Sequence, residues 1–258
     1  NIYTAEELIM AKNIDLVNGP VLPSLTGLAL PIMATSLIQM AYNLTDMLWI
    51  GRMGSSAVAS VGAAGMYMWL SNGLAALPKM GGQVNAGHAL GAGRTKEAAS
   101  FAAAALWMTT ALGLLFGVCS ILFADPLIRF FHLNSPQVIQ DAKIYLQITC
   151  GCVVFSFLNQ TFTGIFTAAG NSRCSFAATL TGLVINMILD PILIFGVGPF
   201  PVMGVMGAAI ATIFAQLVVT LVFVAFALRD SVLFRHIRPF DRPGNCRLLA
   251  ILRIGFPT

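Results

Sequence analysis

Charge is what this sequence has least of. Only 9% of its 258 residues are Asp, Glu, Lys or Arg, while 57% are hydrophobic; a soluble globular domain carries about 25% charged residues. That shortage excludes a soluble domain and leaves a polytopic membrane protein. Chemistry-bearing soft ligands are scarce too. The three His (His88, His132, His236) and five Cys (Cys119, Cys150, Cys152, Cys174, Cys246) form no CxxC pair and no Cys/His set at metal-ligand spacing, so neither a zinc site nor a disulfide framework can be read from them. Also missing is the alternation of ten-residue strands that a membrane barrel needs. The apolar runs are long and continuous, which makes the spans helices and the fold an all-α integral membrane protein. A net charge of +4 points to no nucleic acid, because the basic residues lie mostly in loops on one side. The chain is polar up to Pro20 with no basic-then-apolar start, and so reads as lacking a cleavable signal peptide. It opens on Asn1 and ends at Thr258 just as an apolar segment begins, and reads as part of a longer polypeptide.

What is present is a set of membrane-length apolar runs. Six spans are predicted at roughly 24–50, 57–83, 98–123, 143–168, 174–197 and 206–228, with a seventh opening near Leu248. Residues 1–23 read as an amphipathic lead-in, 24–228 as a six-helix unit and 229–247 as a basic linker; a new unit starts at 248–258. Ala124 to Asp141 reads as an external loop with a short interfacial turn. The lead-in and the loops after spans 2, 4 and 6 hold Lys12, Arg94, Lys96, Arg173, Arg229, Arg235, Arg238, Arg242, Arg247 and Arg253; the opposite connections hold Arg52, Arg129 and Lys143. Ten against three predicts a cytoplasmic N-terminus. Lys79, near the end of span 2 after Pro78, is expected to snorkel to the interface.

Polar residues inside the spans fall into stripes. Span 1 carries Thr35, Gln39, Tyr42 and Asp46; span 4 carries Ser156, Asn159, Thr163 and Thr167. Span 5 carries Thr179, Asn186 and Asp190 beside Gly182, and span 6 carries Ala208, Thr212, Gln216 and Thr220. Steps of three and four put each set on one helical face. Four such faces are best accommodated around a shared, partly wet cavity. The plainer reading is that the hydroxyls bond back to their own helices, which suits Thr167 and Thr220 better than Asp46 or Asp190. The richest stretch is Asn186-Met-Ile-Leu-Asp190-Pro191. Its amide and carboxylate stack at four-residue spacing, and Pro191, lacking an N–H, leaves the Met187 carbonyl without its helical partner. Those are ligands for a proton or a small hard cation. Pro31 is expected to weaken span 1 fifteen residues before Asp46 and to act as a hinge.

In order and spacing these segments resemble multidrug and toxic compound extrusion (MATE) transporters. The resemblance runs through Asp15-Leu-Val-Asn-Gly-Pro20, Leu30-Pro31 to Tyr42-Asn-Leu-Thr-Asp46, Gly51-Arg-Met-Gly54 and Gly91-Ala-Gly93 with Lys96-Glu97-Ala98. It continues through Tyr145-Leu-Gln-Ile, Ala169-Gly170-Asn171, Asn186 to Pro191 and Gly204-Val-Met-Gly207 to Thr212. The resemblance implies the six-transmembrane-helix N-lobe of a twelve-helix transporter plus the start of helix 7. The linker would then join two lobes, the second lying beyond this chain, and the complete protein would be monomeric. It implies a secondary-active antiporter of the inner membrane, not an enzyme, with no cofactor beyond a coupling ion, H⁺ or Na⁺, and with amphiphilic, often cationic small molecules as substrate. Asp46, Asn186, Asp190 and Thr212 fall on the family's ion site. Gln39, Tyr42, Tyr145 and Asn159 fall on cavity-lining positions, and Pro31 on a helix 1 proline proposed to bend. Lys79 has no place in the common pattern. Three rivals stay open: an exporter of lipid-linked precursors or polysaccharides of related fold, an intramembrane aspartyl enzyme using Asp46 and Asp190, and a non-transporting receptor or structural protein. The first tends to hold pyrophosphate with Arg or Lys, yet the interiors of the spans contain no Arg and only Lys79. The second lacks a Gly-x-Gly-Asp setting.

Overall fold

The computed structural model describes residues 21–133, 135–198, 201–229 and 245–255. Most of the lead-in and residues 230–244 of the linker lie outside these, and with them Lys12, Arg235, Arg238 and Arg242 of the orientation argument. Every regular element among the described residues is helical. In chain order they are α1 (Val21–Arg52), α2 (Ser55–Gly91), α3 (Thr95–Leu122), α4 (Ala124–Arg129), α5 (Pro136–Gly151), α6 (Val154–Ala168), α7 (Ser172–Phe195), α8 (Gly204–Arg229) and α9 (Asn245–Gly255).

Among the described residues three helices, α3, α7 and α8, are long and apolar enough on their own to cross a membrane, and α5 with α6 makes a fourth span bent by 43°. Helices α1 and α2 were expected to pass as well. At 32 and 37 residues they have the length, but Gln39, Asn43 and Asp46 in one, and Asn72, Lys79 and many glycines in the other, lower the average hydropathy. The side chains resolve this for α1. Leu30, Met33, Leu37, Met40 and Leu44 are all exposed and recur every three or four residues, so an apolar stripe faces outward while the polar stripe turns in. Span 4, read from sequence as one helix, breaks at Cys152–Val153. At that bend a Cβ on Gly117 of α3 would lie 2.7 Å from the Gly151 carbonyl oxygen, so the two backbones touch. The predicted interfacial turn is α4, tied down by a 2.8 Å ion pair from Lys143 to Asp125 and a 2.8 Å bond from the Tyr67 hydroxyl to the Leu127 carbonyl.

With lipid tails as apolar as leucine, helices in a bilayer associate through close packing of small residues and through interhelical hydrogen bonds. Helices α7 and α8 follow that rule. Gly182 takes the Val219 side chain against its Cα, and a Cβ on Gly207 would lie 2.5 Å from the Leu193 carbonyl oxygen. Buried hydroxyls of Thr109 and Thr161 join α3 to α6 at 2.6 Å. Helix α9 lies across α2: Ile251 is fully buried against Gly81, and Gly255 abuts the Leu77 carbonyl. Helix α1 packs chiefly on α7, so the first helix of the bundle is held mostly from one side.

Candidate functional site

The polar stripes of α1, α6, α7 and α8 face one cavity of about 430 Å³, which α2 also lines. Gln39, Tyr42 and Asn159, expected on its wall, are there; so are Thr35, Thr163, Thr179, Thr212 and Gln216. Tyr145 differs from expectation. It is off the lining and only 2% exposed, packed with Ile50, Ala57 and Ile194. The bend between α5 and α6 turns the Tyr145 end of span 4 off the cavity, while the Asn159 end lines it.

Asn159 does more than line the wall. Its amide donates to the Gln216 backbone carbonyl at 2.9 Å and to Gln216 Oε1 at 2.8 Å, and its Oδ1 accepts from Thr220 at 2.9 Å. This amide clasps α6 to α8. The back-bonding expected of Thr167 is present, to the Thr163 carbonyl at 2.7 Å, whereas Thr220 bonds its own helix and Asn159 as well.

Beside the cavity, and sharing Thr212 with its wall, the structure gathers Asp46 from α1, Asn186 and Asp190 from α7, and Thr212 from α8. Asn186 and Asp190 are 0% exposed and Thr212 5%. The four-residue spacing brings Asn186 Nδ2 to Asp190 Oδ1 at 3.1 Å. Asp190 lies within the field of Asp46, and the Tyr42 and Tyr145 phenols lie within the fields of both acids. Tyr42 stands between the two compartments, close to Thr212 and Gln216 on the cavity side.

Most of these polar atoms are buried without a protein partner. Among the described residues the orphaned side-chain atoms are Tyr42 OH, Asp46 Oδ1, Trp49 Nε1, Ser175 Oγ, Asn186 Oδ1, Asp190 Oδ2 and Thr212 Oγ1. Five of these seven belong to this one cluster, contributed by three helices, and three of the five (Asp46 Oδ1, Asn186 Oδ1 and Asp190 Oδ2) can only accept. Buried polar groups are nearly always bonded, and an unsatisfied one costs about 1–3 kcal/mol. Such a concentration leaves bonding capacity that the described protein groups do not fill. Among the described residues no three His, Cys, Asp or Glu come together; two acids plus neutral oxygens suit a proton or a monovalent ion better than zinc.

Helix α1 runs on through Pro31, and the Thr35 hydroxyl donates to the Pro31 carbonyl at 2.8 Å. Helix α7 likewise continues through Pro191 to Phe195.

Sequence reasoning missed several polar cavity residues, Asn72, Lys79 and Gln160 among them. Gln160 Nε2 donates to Asn72 Oδ1 at 2.8 Å. Lys79 is half-buried and lines the cavity instead of snorkelling away. The signal was available: Met68, Asn72 and Lys79 repeat at helical spacing on α2, and all three face the cavity.

A helical membrane bundle with a polar cavity beside an oxygen-rich acid pair defines the class: a polytopic membrane protein with a transporter's architecture. The sequence profile of the MatE family matches residues 31–192, a stretch that includes Pro31, Asp46, Asn186 and Asp190. The chain belongs to the MatE family. It is similar to the probable multidrug resistance protein NorM of Thermotoga maritima, with 31% identity over 237 residues, 91% of this chain and 50% of that protein. It is also similar to the FAD transporter of Shewanella oneidensis, with 29% identity covering 79% of this chain and 45% of that one. Among solved structures it is similar to a multidrug resistance MATE family transporter of the MOP superfamily in an outward-facing conformation. That match has a TM-score of 0.86 and 25% identity, covering 95% of this chain and 53% of that one. The chain spans about half the length of these relatives, and its fold is that of half of a MATE transporter, the six-helix lobe with the start of a seventh helix.

Proposed function

We propose that this chain is the ion-coupling lobe of a secondary-active efflux antiporter, which exports amphiphilic small molecules against entry of H⁺ or Na⁺. The observation that carries the reading is the cluster of orphaned oxygens on Asp46, Asn186, Asp190 and Thr212, buried together beside a polar cavity. Two carboxylates sharing a water-poor pocket repel each other when both are ionised. A proton or Na⁺ among them relieves the repulsion and supplies the missing bonds. An ion can bias a lobe only if it binds one arrangement better than another, and α1, held mainly by α7, is the element with room to respond, with Pro31 as its hinge. Tyr42 touches both compartments and links ion occupancy to the cavity wall. In this reading the lobe is residues 24–228, the linker 229–247 joins it to a second lobe, and 248–258 begin helix 7. The N-terminus is cytoplasmic, and the complete protein works as a monomer.

The test is Asp46→Asn and Asp190→Asn in the full polypeptide, reconstituted in vesicles with an imposed H⁺ or Na⁺ gradient. Each variant is expected to insert and fold yet lose gradient-driven efflux. Undiminished efflux from both would refute the coupling role.

A further inference from the structure

We infer that Lys79 holds an anionic group of the transported molecule in the cavity, so that the substrate is an anionic or zwitterionic amphiphile rather than a simple organic cation. This deepens the efflux reading above and rests on it.

Among the described residues, Lys79 is the one charged side chain on the cavity wall, and no Asp or Glu lines it. Asp46 and Asp190 sit outside the lining. Among the described residues Lys79 forms no ion pair, the pairs there being Arg94–Glu97 and Lys143–Asp125. An ammonium on a membrane helix is costly and is retained for a function or a partner. The protein also makes room for it. A Cβ on Gly164 of α6 would lie 3.1 Å from the Lys79 carbonyl oxygen and 3.2 Å from its Cγ, so the lysine stem lies along α6 where glycine leaves space. Of the wall hydroxyls, Thr35, Thr163, Thr167 and Thr179 already donate to carbonyls of their own helices, which leaves Tyr42, Ser175 and Thr212 as neutral donors beside the ammonium. The amide pair Asn72–Gln160 shares the wall and can complete the bonding of a carboxylate or phosphate. An organic cation entering here meets a like charge and no counter-charge, which disfavours it. Charge is thereby sorted by place: a small cation for the acid pair, an anionic group for the cavity wall.

The experiment compares two dyes that differ only in charge at one group, rhodamine B with its free carboxylate and rhodamine B ethyl ester. Binding to the full polypeptide in phosphatidylcholine nanodiscs is read by fluorescence polarisation without any ion gradient, so failure of antiport and failure of this proposal are separate results. Wild type is expected to bind rhodamine B about tenfold more tightly than the ester, the scale of one charge-assisted hydrogen bond. Lys79→Gln and Lys79→Met abolish that preference while still binding the ester, and Lys79→Arg keeps it. Equal affinities in wild type, a preference for the ester, or a preference that survives in K79Q overturns the inference. Loss of both dyes from K79Q and K79M alike also overturns it, because ester binding does not involve Lys79. Nanodiscs with added phosphatidylglycerol identify the source of the anion. Displacement of rhodamine B from wild type but not of the ester assigns the site to a lipid headgroup; no displacement assigns it to a soluble substrate.

Discussion

Gly207 offers a way to disturb the ion site without touching any of its polar atoms. In Gly207→Ala the new Cβ would lie 2.5 Å from the Leu193 carbonyl oxygen, 2.7 Å from its carbon and 3.1 Å from the Ile194 nitrogen. All three are backbone atoms of α7, so no side chain can rotate away. Reaching the 3.4 Å of an ordinary contact asks α7 and α8 to part by about 0.9 Å. The struck carbonyl is also the acceptor for the Met203 N–H at 3.1 Å, the bond that closes the turn between these helices. Overpacking of this kind costs about 1–3 kcal/mol, while alanine recovers about 1 kcal/mol of helix propensity over glycine. The net loss is about 1 kcal/mol or somewhat more. Function is expected to fall further than stability, because Asp190 on α7 and Thr212 on α8 are set apart by the same displacement. Gly62→Ala is the control, since a Cβ there meets nothing within 4 Å and only the propensity gain remains. Unfolding in detergent micelles and gradient-driven efflux in vesicles are measured on both variants. If G207A matches wild type in both assays, or G62A falls as far, helix contact is not what sets the site.

The parts of this site that can be read from sequence are those enforced by local rules. Thr35, Gln39, Tyr42 and Asp46 had to share a face because a membrane helix cannot scatter polar groups toward lipid, and that face does turn toward the cavity and the acids. Asn186 and Asp190 had to stack because they are four apart, and they are hydrogen bonded. What failed needed information from distant parts of the chain. Lys79 seemed near enough to the end of span 2 to reach the interface, but the space that receives its stem is made by Gly164, eighty-five residues further on. Tyr145 was placed on the wall by family resemblance, whereas the 43° bend after Gly151 turns it off that wall; no proline marks that bend. The averaged hydropathy of α1 misleads for the opposite reason. Its apolar residues are gathered on the outer face, so the average along the helix understates how well that face suits lipid.

Two further perturbations test the scaffold around the site. Lys143 donates to Asp125 and, with its charge and that of Arg129, holds the Asp125 carboxyl below the usual carboxylate range. Since the folded value is the lower one, the stabilisation is present above the ordinary carboxylate range and is lost as pH falls through the depressed value. The melting temperature of wild type is therefore expected to exceed that of Asp125→Asn slightly at neutral pH. The gap should close on acidification, and a gap that widens contradicts the assignment. Asn159→Leu addresses the clasp between α6 and α8. Interhelical hydrogen bonds in membrane proteins average about 0.6 kcal/mol each, so three of them, at 2.9, 2.8 and 2.9 Å, predict a loss of about 2 kcal/mol. Thr220→Val removes one of the three and should cost about a third as much. In a double-mutant cycle T220V then adds little on top of N159L, because its partner is already gone. If the two losses simply add, Thr220 is stabilising its own helix alone through the Gln216 carbonyl, and the clasp is carried by Gln216 without it.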